Sequence, residues 1–256
     1  MSEGMFDGKV VIVTGAGLGM GRATARRFAQ EGAKVCAADI DLAAAEDTVR
    51  VILDAGGEAF ACQVDISLEA DNERMVAATV SRYGGLDAAH LNAAILGHVG
   101  DFFESSVENF DRVTAVNQRG CYLGLKSVGR AIRPQGAVVA MSSTAGLMGW
   151  DMNATYSATK HAIIGLVKSA APAFGARGIR VNAVCPGMVN TRMLTPDPAE
   201  DAILPAADLQ VPPFRGVATA QHVAEVVLFL ASTRAAFITG AVYTVDGGLT
   251  SSFPSG

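Results

Sequence analysis

The chain has 256 residues, room for one extended core but not for a large α/β sheet plus a sizeable second domain. Half of the residues are apolar and 18% are charged, below the roughly 25% charged of an average soluble domain. That composition excludes intrinsic disorder and implies surface buried between subunits. A net charge of −5 with scattered Lys and Arg excludes a nucleic-acid-binding role, which needs clustered cations against phosphates.

No stretch of 18 residues is apolar without a charge or a turn, so no membrane span is expected. The opening Met1-Ser2-Glu3-Gly4-Met5 lacks the basic and apolar segments of a secretory leader. Cys36, Cys62, Cys121 and Cys185 form no C-x-x-C and sit in or beside apolar runs. Buried, reduced thiols in a cytoplasmic protein are the expectation.

Along the chain, short apolar runs alternate with amphipathic ones. Lys9-Val-Val-Ile-Val-Thr14 is a continuous β-branched run, as expected for a strand covered on both faces. Residues 22–30 read as a helix stopped by Gly32, 34–40 as a strand, and 42–53 as a helix stopped by Gly56-Gly57. Strands follow at 59–64 and 86–91 around a helix at 69–83. Then come a helix at 108–132, a strand at 137–141, a helix at 155–174 and a strand at 179–184. The last pair is a helix at 220–231 and a strand at 241–245. Seven strands separated by helices predict an α/β fold: one doubly wound parallel sheet with helices on both faces, in a single domain over 1–256. Pro172 should kink or end the helix that carries it. Residues 190–215 hold Pro196, Pro198, Pro205, Pro212 and Pro213 without periodicity. They are expected to be a substrate-binding lid, because they follow the carboxyl end of a strand, where open α/β sheets bind ligands.

Directly after the first strand comes Thr14-Gly15-Ala16-Gly17-Leu18-Gly19-Met20-Gly21. Glycines between a strand and a helix start let backbone N–H groups approach a pyrophosphate, and the helix dipole favours the anion there. The strict G-x-G-x-x-G spacing is not met, since Met20 stands where its last glycine would fall. At the end of the second strand, Asp39 can accept hydrogen bonds from the adenosine ribose of NAD and repel the extra phosphate of NADP. Asp39 could instead cap the next helix, but Asp41 is equally placed for that. NAD is the expected cofactor.

Tyr156-Ser-Ala-Thr-Lys160 places a phenol and an ammonium at i and i+4 on one helix face. A lysine beside a tyrosine favours the phenolate, which would make Tyr156 an acid/base near neutrality. Tyr122 and Lys126 share the spacing, but position separates the pairs. Thirteen residues before Tyr156 lies Ser143, at a predicted strand end, whereas the matching residue before Tyr122 is Asn109, within a predicted helix.

Over residues 7–250 the chain resembles the short-chain dehydrogenase/reductase family. The landmarks are Thr14-Gly15…Gly19…Gly21, Asp39, Asp65-Ile66, Asn92-Ala93, Asn117, Ser142-Ser143, Tyr156…Lys160, Pro186-Gly187…Thr191 and Val245-Asp246-Gly247-Gly248. Each alone has a local explanation, as a turn or a cap; their joint order and spacing are what is specific. The resemblance implies a Rossmann fold in which Tyr156 is the general acid/base. In that scheme Ser143 polarises the substrate oxygen, Lys160 binds the nicotinamide ribose and lowers the Tyr156 pKa, and Asn117 holds a relay water. Asp65 and Ile66 would contact adenine, Asn92 would lie beside the adenosine ribose, and Pro186, Gly187, Val189 and Thr191 would border the nicotinamide. The family's N-N-A-G segment reads Leu91-Asn92-Ala93-Ala94 here, preceded by His90, which is expected to be a buried strand residue.

The resemblance also implies a homotetramer, a dimer of dimers. Ala158, Ala162, Gly165 and Ser169 form a small-residue row that could pair helices between subunits; the alternative is packing inside the monomer. No metal is implied. Leu147-Met148-Gly149-Trp150 with Met193, Leu194 and Phe214 would give an apolar pocket for a ring-bearing, steroid- or terpenoid-like secondary alcohol or ketone. A 3-oxoacyl carrier reductase and a non-catalytic NAD-binding regulator are the alternatives.

Overall fold

The β-branched run forms β1 (Val10–Thr14), buried at every residue and an inner strand of a seven-stranded sheet, in a computed structural model describing residues 4–193 and 216–251. It is followed by α1 (Gly19–Gln30), β2 (Lys34–Asp39), α2 (Leu42–Asp54), β3 (Glu58–Gln63), α3 (Glu69–Tyr83) and β4 (Ala88–Leu91). The second half holds α4 (Val107–Val113), α5 (Gly120–Ala131), β5 (Ala137–Met141), α6 (Ala154–Gly175), β6 (Arg180–Pro186), β7 (Val189–Asn190), β8 (Ala218–Thr219), α7 (Ala220–Ala231) and β9 (Val242–Val245). The strand order is β3-β2-β1-β4-β5-β6-β9, and every pairing is parallel. The order reverses between β1 and β4, which opens a crevice at their carboxyl ends.

Alternation along the strands builds two cores. Val11, Val13, Val35, Ala37 and Val139 point toward Phe28 of α1 and Val223 and Val227 of α7. Ile12, Cys36, Ala38, Val138 and Ala140 point toward Met75 of α3, Leu125 of α5 and Ile163 of α6. Both faces are therefore buried, which is why the strands carry continuous rather than alternating apolar runs.

Four sequence expectations are corrected. The helix expected over 108–132 is interrupted: Thr114–Arg119 is a π-helical turn between α4 and α5, and it carries the buried Asn117. Wide turns of this kind collect at functional sites. The excursion expected to begin at Asn190 instead starts with a short strand, because Val189 and Asn190 pair in parallel with Ala218 and Thr219. Cys36, Cys121 and Cys185 are buried, but Cys62, on the edge strand β3, is half-buried. The expected lid lies outside the described residues from 194 to 215, as do Leu194 and Phe214. Pro172 does not end α6 as expected: the helix runs through it to Gly175, one residue beyond the expected 174. Among the described residues, no helix is long and apolar enough to cross a membrane.

Candidate active site

At the crevice, the phosphate turn is held from both sides. Thr14 Oγ1 accepts the Asn92 and Ala93 N–H groups at 2.9 and 3.2 Å, and Asn92 Nδ2 donates to the Thr14 carbonyl at 3.0 Å. Asn92 thus stitches the end of β4 to the end of β1. Gly15 and Gly19 adopt φ of 65° and 53°, a left-handed backbone that glycine accepts without strain. A side chain at Gly21 would overlap the Gly15 carbonyl. The N-terminus of α1 is consequently bare and close to the turn, a cradle that fits a pyrophosphate.

Asp39 Oδ2 accepts the Gly17 N–H at 2.8 Å and Oδ1 accepts the Asp41 N–H at 3.1 Å. The helix-capping job falls to Asp41, whose Oδ1 accepts the Ala44 N–H at 3.2 Å. Asp39 is left at the wall of a cleft of about 610 Å³ that also borders Gly15, Leu18, Gly19, Met20, Asp65, Ile66, Asn92, Tyr156, Lys160 and Thr191. Asp65 spends Oδ1 on the Ser67 N–H and hydroxyl, at 2.9 and 2.7 Å, which shapes its own turn. Gly17 and Gly21 lie behind this wall rather than on it.

A second cavity of about 380 Å³ adjoins the first, and Tyr156 lines both. Ser143, Pro186, Gly187 and Val189 face this second space, together with Leu96, Met148, Trp150, Met188, Met193 and Leu249. None of its described lining residues is charged. The Trp150 indole stands edge-on to the Tyr156 ring, centroids 6.3 Å apart at 87°. Gly187 is required here, because a side chain would press on Asp246 at 3.0 Å.

The expected constellation assembles. Ser143 and Tyr156 line the same cavity, and Lys160 Nζ lies 5.3 Å from the centroid of the Tyr156 ring. Lys160 is fully buried and donates to the Met141 carbonyl at 2.9 Å. Ser142, next to Ser143, donates to the Lys160 carbonyl at 2.8 Å and fixes β5 against α6. The decoy pair points elsewhere: Tyr122 is exposed, and Lys126 pairs with Glu69 at 2.6 Å.

Burial pushes the Tyr156 phenol up to about 12, with the nearby Ser143 side chain drawing it back. Burial likewise brings the Lys160 ammonium down to about 8. Desolvation disfavours the charged form of each, and here it outweighs their mutual influence across the ring.

Asn117 lies behind the cleft wall. Its Oδ1 accepts the Ile95 N–H at 2.8 Å, and its Nδ2 donates to the Ile95 carbonyl at 2.9 Å and to Thr159 Oγ1 at 3.2 Å. Both amide hydrogens are therefore committed to protein. Sequence reasoning missed Ile95, Leu96, Met188 and Leu249, since apolar loop residues carry no motif. It also missed Asn153, whose only signal was an Asn just before a helix. Among the described residues, no group of His, Cys, Asp and Glu is arranged to hold a metal.

Comparison with known proteins agrees with this geometry. A family model described as enoyl-(acyl carrier protein) reductase matches residues 15–250. The chain is 35% identical to levodione reductase of Leifsonia aquatica, over 97% of this chain and 96% of that one. It is 38% identical to cyclohexanol dehydrogenase of Acinetobacter sp. strain SE19, over 96% of each. The crystal structure of levodione reductase superposes with a TM-score of 0.88 at 35% identity, covering 97% of this chain and 100% of that one.

Proposed function

The chain belongs to the short-chain dehydrogenase/reductase family, and from that premise we propose an NAD-dependent enzyme that interconverts a secondary alcohol and a ketone on an apolar, ring-bearing substrate. The observation that carries this reading is the junction at Tyr156, where the cleft with the phosphate cradle meets an uncharged cavity. The cleft lined by Gly15, Gly19, Asp39 and Lys160 would hold NAD, whose chemistry when bound would be hydride exchange with the carbinol or carbonyl carbon.

The chain's own residues do the rest. Tyr156 exchanges a proton with the substrate oxygen, and Ser143, which lines the same cavity, orients and polarises that oxygen. Lys160 holds the nicotinamide ribose and keeps a positive charge beside the phenol. Asn117 supports the relay water through its main chain or the remaining lone pair of Oδ1. Asp39 favours NAD by receiving the ribose hydroxyls and rejecting a 2′-phosphate. Asp65 and Ile66 border the adenine, and Pro186, Gly187, Val189 and Thr191 border the nicotinamide.

The substrate class follows from the wall chemistry and from the relatives, whose printed names are those of levodione and cyclohexanol enzymes. An apolar cavity of about 380 Å³ suits a monocyclic to steroid-sized ring. A 3-oxoacyl carrier reductase is disfavoured by Asp39, because that reaction usually draws on NADP, whose 2′-phosphate an acidic side chain there repels.

The assembly we propose is a dimer of dimers. Ala158, Gly165 and Ser169 are exposed on α6, and a Cβ at Gly165 would meet no atom within 4 Å. That face is open to a partner helix rather than used inside the monomer.

The test is absorbance at 340 nm with NAD and a panel of cyclic alcohols, comparing the protein with Tyr156→Phe. Turnover in the parent and a loss of about 10²–10⁴-fold in the variant are expected. Tight NAD binding without turnover would instead identify a dinucleotide-sensing regulator.

A further inference from the structure

The main chain of Tyr156 is gripped at both of its polar groups by side chains that also grip one loop. Its N–H donates to Asn153 Oδ1 at 3.0 Å, and its carbonyl accepts from Thr159 Oγ1 at 2.8 Å. Asn153 Nδ2 reaches across to the Leu96 carbonyl at 2.8 Å. Thr159 Oγ1 accepts from Asn117, which holds both main-chain polar groups of Ile95. Since Ile95 and Leu96 are adjacent, the bonds close a ring: Tyr156, Asn153, Leu96, Ile95, Asn117, Thr159.

Every side chain in this ring is used with complementary donors and acceptors. Asn117, Asn153 and Thr159 are 1%, 3% and 1% exposed, so water cannot replace a broken bond without reorganisation. The ring also spans the right places. Ile95 and Leu96 line the dinucleotide cleft, and Leu96 continues into the second cavity. A shift of that loop relative to α6 would change the separation between the phenol and whatever both cavities hold.

We infer that Asn153 and Thr159 are positioning residues that fix the Tyr156 phenol relative to the 95–96 loop, and so set the proton-transfer geometry. The inference rests on the proposed acid/base role of Tyr156.

Two substitutions separate this role from simple helix support. Asn153→Asp keeps the cap on the Tyr156 N–H but turns an oxygen toward the Leu96 carbonyl, so the cap survives and the loop tie does not. Thr159→Val removes both hydroxyl bonds at nearly constant volume, and Thr159→Ser restores them. For Asn153→Asp and Thr159→Val, kcat should fall about ten- to a hundredfold, the scale of a misplacement near 1 Å, with KM for NAD held within about twofold. Thr159→Ser should recover most of the loss. Unchanged kcat in Asn153→Asp, or a Thr159→Ser as slow as Thr159→Val, overturns the inference.

A second readout is independent of turnover. Trp150 is the chain's one tryptophan and stands edge-on to Tyr156, so its emission should shift in Thr159→Val while far-ultraviolet dichroism stays constant. Unchanged emission also overturns the inference. Should Thr159→Val not fold, Asn153→Asp decides alone. Failure of the parent protein to turn over with any alcohol would count against the proposed reaction, whereas a Trp150 shift in that same protein would still support the positioning ring.

Discussion

The N–H of Gly17 donates to Asp39 Oδ2 at 2.8 Å, so the carboxylate at the end of β2 also anchors the glycine turn after β1. A side chain at Gly17 would come within 2.7 Å of the Ala44 Cβ and 3.0 Å of Asp39 Oδ2, which leaves no space for a basic residue there without moving α2. On the proposed reading, selectivity is concentrated in the one charge of Asp39.

Asp39→Asn keeps an oxygen for Gly17 and removes that charge. The ratio of kcat/KM for NAD over NADP should fall by about a hundredfold, on the order of 3 kcal/mol. Initial rates with both cofactors measure it. An unchanged ratio would place selectivity elsewhere.

Lys160 should cost stability in the range where activity needs its charge. Its folded-state pKa is brought down from 10.5 to about 8 by burial, so between those values the unfolded chain binds more protons and stability rises with pH. Below about 8 the whole penalty is present, about 3 kcal/mol at 1.4 kcal/mol per unit. Lys160→Met loses the Met141 bond, worth about 1 kcal/mol. The variant should still be more stable than the parent at pH 7 while lacking turnover, and the advantage should fade toward pH 10.5. Urea titrations at both pH values measure this; a constant difference would contradict it.

His90 predicts acid sensitivity. It is fully buried in β4 between Val13 and Val139, with no hydrogen-bond partner for either ring nitrogen among the described residues. Burial depresses its pKa from 6.5 to about 3. The unfolded state therefore binds the extra proton between those values, and stability is lost as pH falls below 6.5, by up to about 1.4 kcal/mol per unit. His90→Val should move the acid-unfolding midpoint to lower pH, as followed by circular dichroism, and should matter little at pH 8.

Gly165 tests the assembly by the sign of one change. On a free helix face, Gly165→Glu raises helix propensity by several tenths of a kcal/mol. Against a partner helix, the same side chain inserts a charge into a close contact. Sedimentation should show the assembly dissociating, with secondary structure intact. A variant that stays assembled and gains stability would show this face to be free.

Much of this was legible in the chain. Short apolar runs, β-branched throughout in β1 and alanine-rich elsewhere, mark the strands, because a sheet buried on both faces needs no polar alternation. Tyr156 and Lys160 could be read from helical spacing, and Ser143 from its strand end. The π-helical turn at Thr114–Arg119 could not, since one extra residue per turn leaves no mark on apolar periodicity. The pKa pattern at Tyr156 and Lys160 was equally hidden: spacing reports proximity, but burial decides which way each group shifts. The ring through Asn153 was out of reach because its far side is main chain, and the carbonyl of Leu96 has no sequence identity to read.

The two-residue pairing of β7 with β8 fixes the two ends of the chain that runs between them. The chain leaves the sheet region after Asn190 and re-enters at Ala218 on adjacent strands, about 4.8 Å apart. Closure entropy grows only slowly with length, so a foreign segment of different size could be grafted between these anchors at small energetic cost. A change of length between these anchors would leave the seven-stranded sheet and its strand ends in place.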